Sequence, residues 1–184
     1  MREFIYYSKK SKTSGDLKEE RADILLRIVI NSFFVSYKVR ENVKLHFIFC
    51  GPRDGPKHIE FISASSIPLR EREFSWFLRE ILNGYCKGKR VEVFPECFVE
   101  KKDLHGLINE LEKDGKKIYI LSKKGKDFTS DDIGDNCVFL LGEIPFKELR
   151  RLRKKLKVVS LGKVEYFTSQ AIGIVNYLLD RKGS

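Results

Sequence analysis

The chain holds only three histidines and four cysteines in 184 residues, and neither set forms a pattern. Cys50, Cys86, Cys97 and Cys137 make no C-x-x-C pair, and His46, His58 and His105 stand outside zinc-ligand spacing. Reduced, partly buried thiols are expected, and no metal. Neither G-x-G-x-x-G nor G-x-x-x-x-G-K-[ST] occurs, so dinucleotide and P-loop sites are unsupported. No apolar run has the length needed to span a bilayer. Met1-Arg2-Glu3-Phe4 goes straight into a strand-like stretch, so no signal peptide is expected. No Ser/His/Asp or Cys/His nucleophile pattern stands out. These absences predict a cytoplasmic protein without a membrane partner.

Positive charge is what the chain has in excess. Lys and Arg number 36 against 26 Asp and Glu, a formal net charge of +10. A domain this basic is expected to meet a polyanion, most commonly a nucleic acid. The 42% hydrophobic fraction is that of a globular chain, and the length fits one domain over residues 1–184.

Along the chain, Arg2–Tyr7 reads as a strand, followed by a Lys/Ser/Gly-rich loop. Leu17–Tyr37 is a long apolar segment without Gly or Pro, predicting one mostly buried helix. Asp23, Arg27 and Asn31 lie four apart on it and share a face. Lys44–Cys50 and Ile59–Ser63 flank the turn Gly51–Pro56, predicting a hairpin and hence some mixed pairing. Helical spacing recurs over Arg70–Leu82, and Val91–Phe94 reads as a strand. Asp103 is a candidate cap for a helix to about Lys113. Strand Lys117–Ser122, strand Val138–Leu141, helix Phe146–Lys155, strand Lys157–Ser160 and helix Thr168–Leu179 complete the order. Alternation of this kind predicts an α/β fold, a mainly parallel sheet with helices on both faces.

Two of these strands run into glycines, Gly142 and Gly162. Adjacent strand ends make a ledge of exposed backbone groups, the usual ligand position in an α/β sheet. Glycine lets a ligand approach the backbone closely, and Leu121 could wall the site. Ordinary β–α turns are the alternative. Lys147–Lys157 places Leu149, Leu152 and Leu156 on one stripe and is basic elsewhere. Arg150, Arg153 and Lys154 are thus candidates for RNA phosphates, or for a solvated helix face. The Asp23/Arg27 pair, with Arg21 nearby, reads either as an exposed ion pair or as a carboxylate–guanidinium cluster facing substrate. Arg53, Arg70 and Arg72 carry the same two readings.

Several stretches together resemble a known family. MREFIYY, the R-x-D-I-L of Arg21–Leu25, the turn GPRDGP, ILSKKG and VFLLGEIP are similar, in order and spacing, to the archaeal tRNA pseudouridine N1-methyltransferases of the TrmY family, which are SPOUT methyltransferases. The resemblance implies a C-terminal trefoil knot, a homodimer, and S-adenosyl-L-methionine as cofactor. It puts Leu121, Gly142, Val159, Ser160, Leu161, Gly162, Lys163, Val164 and Ala171 at the cofactor. It suggests Arg21, Asp23, Arg70 and Arg72 as the RNA-facing group, Asp23 and Arg21 being its catalytic candidates; Arg27, Arg53, Arg150, Arg153 and Lys154 join the RNA-binding candidates on the charge and spacing read above. Two stretches depart from the family pattern. Glu143-Ile144 stands where Asp-His is usual, and Phe167-Thr168-Ser169-Gln170-Ala171 replaces a His-Ala-Asn-His-Cys-like run. The reaction implied is methylation of N1 of a pseudouridine in the T-loop of tRNA. The alternatives are the same chemistry on small-subunit ribosomal RNA, and an RNA-binding or assembly protein that has lost transfer.

Overall fold

The first strand of the chain becomes the middle of its sheet. The computed structural model describes residues 1–14, 22–52, 54–128, 133 and 136–182, the last by its backbone. In chain order the elements are β1 (Arg2–Ser8), α1 (Ala22–Phe33), β2 (Phe34–Val35), β3 (Lys38–Val39), β4 (Val43–Phe49), β5 (Lys57–Phe61), α2 (Glu71–Asn83), β6 (Val91–Phe94), β7 (Cys97–Glu100), α3 (Leu104–Lys113), β8 (Lys117–Asp127), β9 (Cys137–Gly142), α4 (Phe146–Leu152), β10 (Lys157–Ser160) and α5 (Thr168–Lys182). The main sheet has eight strands in the order β10-β8-β9-β1-β4-β5-β7-β6. The first five of that order run parallel. The β4–β5 hairpin then turns the remainder antiparallel.

Strands covered on both faces need apolar residues throughout, and Cys137–Leu141 is buried at every position. Alternate residues feed two cores. Phe4, Phe47, Phe139 and Tyr119 pack under α1, α2 and α5. Ile5, Ile118, Ile120, Val138 and Leu140 pack under α3 and α4. Helices therefore lie on both faces, as the alternation predicts.

Asp103 caps α3, its carboxylate accepting from the Gly106 N–H at 2.7 Å. Several elements differ from expectation, among them β8, which runs past Ser122 to Asp127, and α5, which runs past Leu179 to Lys182. The helix predicted over Leu17–Tyr37 ends at Phe33, because β-prone Phe34–Val39 folds into the β2–β3 ribbon; its first residues fall outside those described. β7 went unpredicted, since it is short and follows directly on Glu96, whose φ is 59°. α4 stops at Leu152 rather than Lys155.

One face of the sheet buries a polar row. Glu3 of β1, His46 of β4, His58 of β5 and Glu100 of β7 form a chain of contacts at 3.1, 2.9 and 3.0 Å. Lys116 pairs with Glu3 at one end and Lys102 with Glu100 at the other. Beside them Glu60 is paired with Lys44 and Arg90. Burial alone would raise Glu3, but His46 and Lys116 outweigh it and hold that carboxyl down to about 2. Glu100 is held to about 2 against its own burial by His58 and Lys102. If both imidazoles spend an N–H on a carboxylate, two neutral rings would meet lone pair to lone pair. The 2.9 Å contact between His46 Nδ1 and His58 Nε2 instead has one ring donating and the other accepting, in the direction their tautomers set.

Candidate cofactor and RNA site

Parallel strands place their carboxyl ends along one edge, and there β8, β9 and β10 build the ledge. Ile120 of β8 stands opposite Leu140 of β9 and Val158 of β10. The ladder with β10 then breaks and resumes only where Val159 meets Lys126. Leu121–Gly125 is consequently an excursion looped out of the strand. It closes tightly: a Cβ on Gly125 would lie 2.5 Å from a backbone atom of Val159. Just beyond, the Phe128 N–H donates to the Ser160 carbonyl at 2.7 Å.

The two glycines do different work. Gly142 has φ +108°, and a Cβ there would sit 2.2 Å from the Tyr7 carbonyl, which accepts from the Glu143 N–H at 2.9 Å. This glycine locks β9 to β1. Gly162, with φ +105°, faces open space instead. Its turn is held by the buried Ser160 hydroxyl, which donates to the Gly162 carbonyl and accepts from its N–H, both at 3.0 Å. Leu121 and Leu161 pack against the core that contains Val159 and Ala171. An apolar wall beside an open glycine turn and unladdered backbone suits an adenosine-like ligand, so these residues fit the cofactor expected of them. Ser160, however, spends its hydroxyl on the turn. Lys163 and Val164 are exposed at the rim, and Ala171 is buried below. A separate cavity of about 300 Å³ under the β8–β10 seam, lined by Tyr119, Phe128 and Ile133, meets this group only at Val159.

The candidate RNA residues are dispersed. α1 leaves the carboxyl end of β1, which brings Asp23 to the same edge as the ledge. Asp23 is paired with Arg27 at 2.9 Å. Asn31 turns away from them, donating to the Arg27 carbonyl and lying against Gly173 of α5. Arg21 and Arg53 lie outside the described residues. Arg70 and Arg72 are exposed at the start of α2. That helix departs from the opposite edge, because β5 runs antiparallel and only the far end of α2, at Leu82, meets Lys57. A single chain therefore does not bring them to the ledge. Arg150 and Lys154 are exposed on and just after α4, whereas Arg153 turns inward. Sequence reasoning passed over the exposure of Phe146, the first residue of α4, and of Phe167, just before α5, which are 78% and 79% exposed. An aromatic a few residues past a glycine turn was the available signal. Among the described residues no helix is long and apolar enough to cross a membrane.

A basic α/β protein with a glycine-ended ledge and a cationic helix beside it has the architecture of a cofactor-using enzyme that acts on a polyanion. The chain belongs to the SAM-dependent RNA methyltransferase family, whose profile matches residues 1–184. It is 32% identical to the tRNA (pseudouridine(54)-N(1))-methyltransferase of Methanopyrus kandleri, covering 99% of this chain and 94% of that protein. The proteins of the same description from Methanocaldococcus jannaschii and Pyrococcus abyssi are 28% and 29% identical. Those matches cover 98% and 99% of the relatives and 99% and 100% of this chain. Among solved structures, Archaeoglobus fulgidus Nep1 bound to S-adenosylhomocysteine superposes with a TM-score of 0.68 at 14% identity, over 97% of this chain and 96% of that one. That likeness is one of fold.

Proposed function

We propose that this protein methylates N1 of a pseudouridine in the T-loop of tRNA. The observation that carries the reading is the match, over nearly the full length of both partners, to relatives described by that reaction. Leu121, Leu161, Ala171, the Gly142 turn and the backbone of Val159–Val164 hold the cofactor. When bound, S-adenosylmethionine supplies a methyl group already electrophilic on its sulfonium. The chain then has two tasks, alignment and proton management, and alignment alone can remove much of the barrier. Pseudouridine N1 carries an acidic proton, whereas the corresponding atom of uridine is the glycosidic nitrogen and carries none. Asp23, oriented by Arg27, accepts that proton, and Arg21 steadies the resulting anion.

A T-loop base is engaged in tertiary contacts, so it must turn out of its stack to reach the ledge. Arg27, Arg53, Arg150 and Lys154 hold the surrounding phosphates. Arg70 and Arg72, placed at the far edge of their own chain, serve the RNA from a second copy, which supports a homodimer. The looped-out β8 and the late arrival of β10 beside it support a trefoil knot. A tRNA substrate puts the work in the cytoplasm.

The test uses labelled S-adenosylmethionine and two T-loop RNAs that differ only in uridine or pseudouridine at the target. Label is expected in the pseudouridine RNA alone. Label in both, or in neither while a small-subunit ribosomal hairpin accepts it, overturns the assignment. Asp23→Ala should lower turnover at least ~100-fold, the usual worth of a general base, with little change in cofactor affinity.

A further inference from the structure

We infer that Arg153 is a positioning residue of the cofactor site, which shapes the β8 excursion and makes no contact with RNA phosphate. The inference rests on the reading of the ledge given above and deepens it. Arg153 sits at the C-terminal cap of α4, its N–H donating to the Leu149 carbonyl at 3.0 Å. Arg150, Arg151 and Lys154 around it project into solvent. Its own guanidinium folds inward, and Nη2 donates to the Ser122 hydroxyl at 3.0 Å. Its Nε is buried and meets no acceptor among the described residues. A cation recruited for phosphate would not be drawn below the surface and spent on a neutral hydroxyl.

Ser122 explains the expenditure. It follows Leu121 directly and is the second residue of the Leu121–Gly125 excursion, which has no ladder partner on β10. Without ladder partners, such a loop samples many conformations, and ordering it carries an entropic cost at each residue. Three contacts oppose this. Arg153 holds the start through Ser122, and Lys123 reaches Glu165 of the β10–α5 loop at 2.7 Å. Gly125 closes the end against Val159. Of the three, only the Arg153–Ser122 bond combines partial burial with a charged donor, and bonds of that kind are the stronger ones. A second bond, from the Lys124 N–H to the same hydroxyl at 3.4 Å, makes Ser122 the node of the loop. With the loop preordered, the ligand meets Leu121 already in place. Without the brace, binding must order the loop first, and affinity falls.

Two phosphate-binding arginines would act independently, but a donor and its acceptor act as one unit. The experiment measures S-adenosylhomocysteine affinity by calorimetry for the wild type, Arg153→Ala, Ser122→Ala and the double variant. Affinity for unmodified T-loop RNA is followed over a salt series in parallel. Each single variant should bind the nucleoside about tenfold more weakly, the low end for a bond to a charged group. The double variant should be no weaker than either single one, and Arg153→Lys should recover part of the loss. RNA affinity and its salt slope should stay as in the wild type.

Additive losses overturn the inference. So does a silent Ser122→Ala beside an Arg153→Ala that lowers RNA affinity and reduces the slope by about one. Ser122→Ala removes a single oxygen, so its result stands even if Arg153→Ala disturbs α4. The two readings fail differently. A wild-type protein that does not take up the nucleoside removes the ledge assignment, whereas wild-type binding with unaffected variants removes only the brace.

Discussion

At Gly125 the shape of the site turns on one hydrogen atom. The residue needs no unusual φ, and it is glycine because Val159 passes against it: an added methyl would lie 2.5–2.7 Å from three backbone atoms of Val159. Those atoms belong to a laddered strand and cannot swing aside as a side chain would. Gly125→Ala should therefore cost about 2–3 kcal/mol, at the upper end for overpacking. At about 2–4 °C per kcal/mol for a chain of this size, calorimetry should register a clear fall in Tm together with weaker S-adenosylhomocysteine binding. An unshifted Tm would mean that the seam yields. Residues of this kind were the least legible from sequence. The strand end at Leu121 and the turns at Gly142 and Gly162 could be read because such features leave a local mark. Gly125 and the inward turn of Arg153 depend on which strand lies alongside, and that is set by residues far away in the chain.

Elements were legible in proportion to how strongly each buries one face. Val138–Leu141 is apolar throughout and could be recognised as a covered strand. β7 is four residues long and its signal is too weak. The helix expected to run on to Tyr37 shows local propensity prevailing, for Phe34–Val39 prefers extended backbone once the core has ended. The polar row across β1, β4, β5 and β7 could not be anticipated, since its members are neighbours only through pairing. It makes the sheet sensitive to acid. Burial first, and then the charge of His46, depress His58 to about 4. Between pH 6.5 and 4 the unfolded chain takes up a proton that the folded chain refuses, so stability falls as pH falls. Glu3 and Glu100, held to about 2, extend the loss as pH drops from about 4.5 toward 2. Facing this row are Lys116, Lys102, Lys44, Arg90 and Glu60, all paired within it. Denaturant unfolding should show stability decreasing from pH 6.5 downward, with His58 contributing up to about 1.4 kcal/mol per pH unit. His58→Gln should be less stable at neutral pH and shallower in slope between pH 6.5 and 4.5. A slope equal to the wild type would remove His58 as its source.

For the molecule as a whole, the +10 charge is a statement about partners, and its distribution decides where they land. Arg150 and Lys154 are exposed beside the ledge, on the side where the proposed site would receive its substrate. Reversing both to Glu should weaken T-loop RNA binding at low salt. The slope of log affinity against log salt should flatten by roughly 1–2, about one phosphate contact per side chain, while S-adenosylhomocysteine affinity is retained. Unchanged affinity and slope would take that helix off the RNA path.

The placement of β1 bears on how the chain survives its own synthesis. β1 pairs on one side with β4, which follows soon after it, and on the other with β9, which is separated from it by most of the chain. Until Cys137–Gly142 has emerged, the flank of β1 that β9 will cover is an open edge, with Phe4, Ile5 and Tyr6 along it. Such an edge is a template on which other chains can add. Anything that stalls translation ahead of β9 therefore produces not an inert fragment but a nucleus for aggregation, and the cell's quality control has a stake in the last quarter of this chain that its catalysis does not reveal.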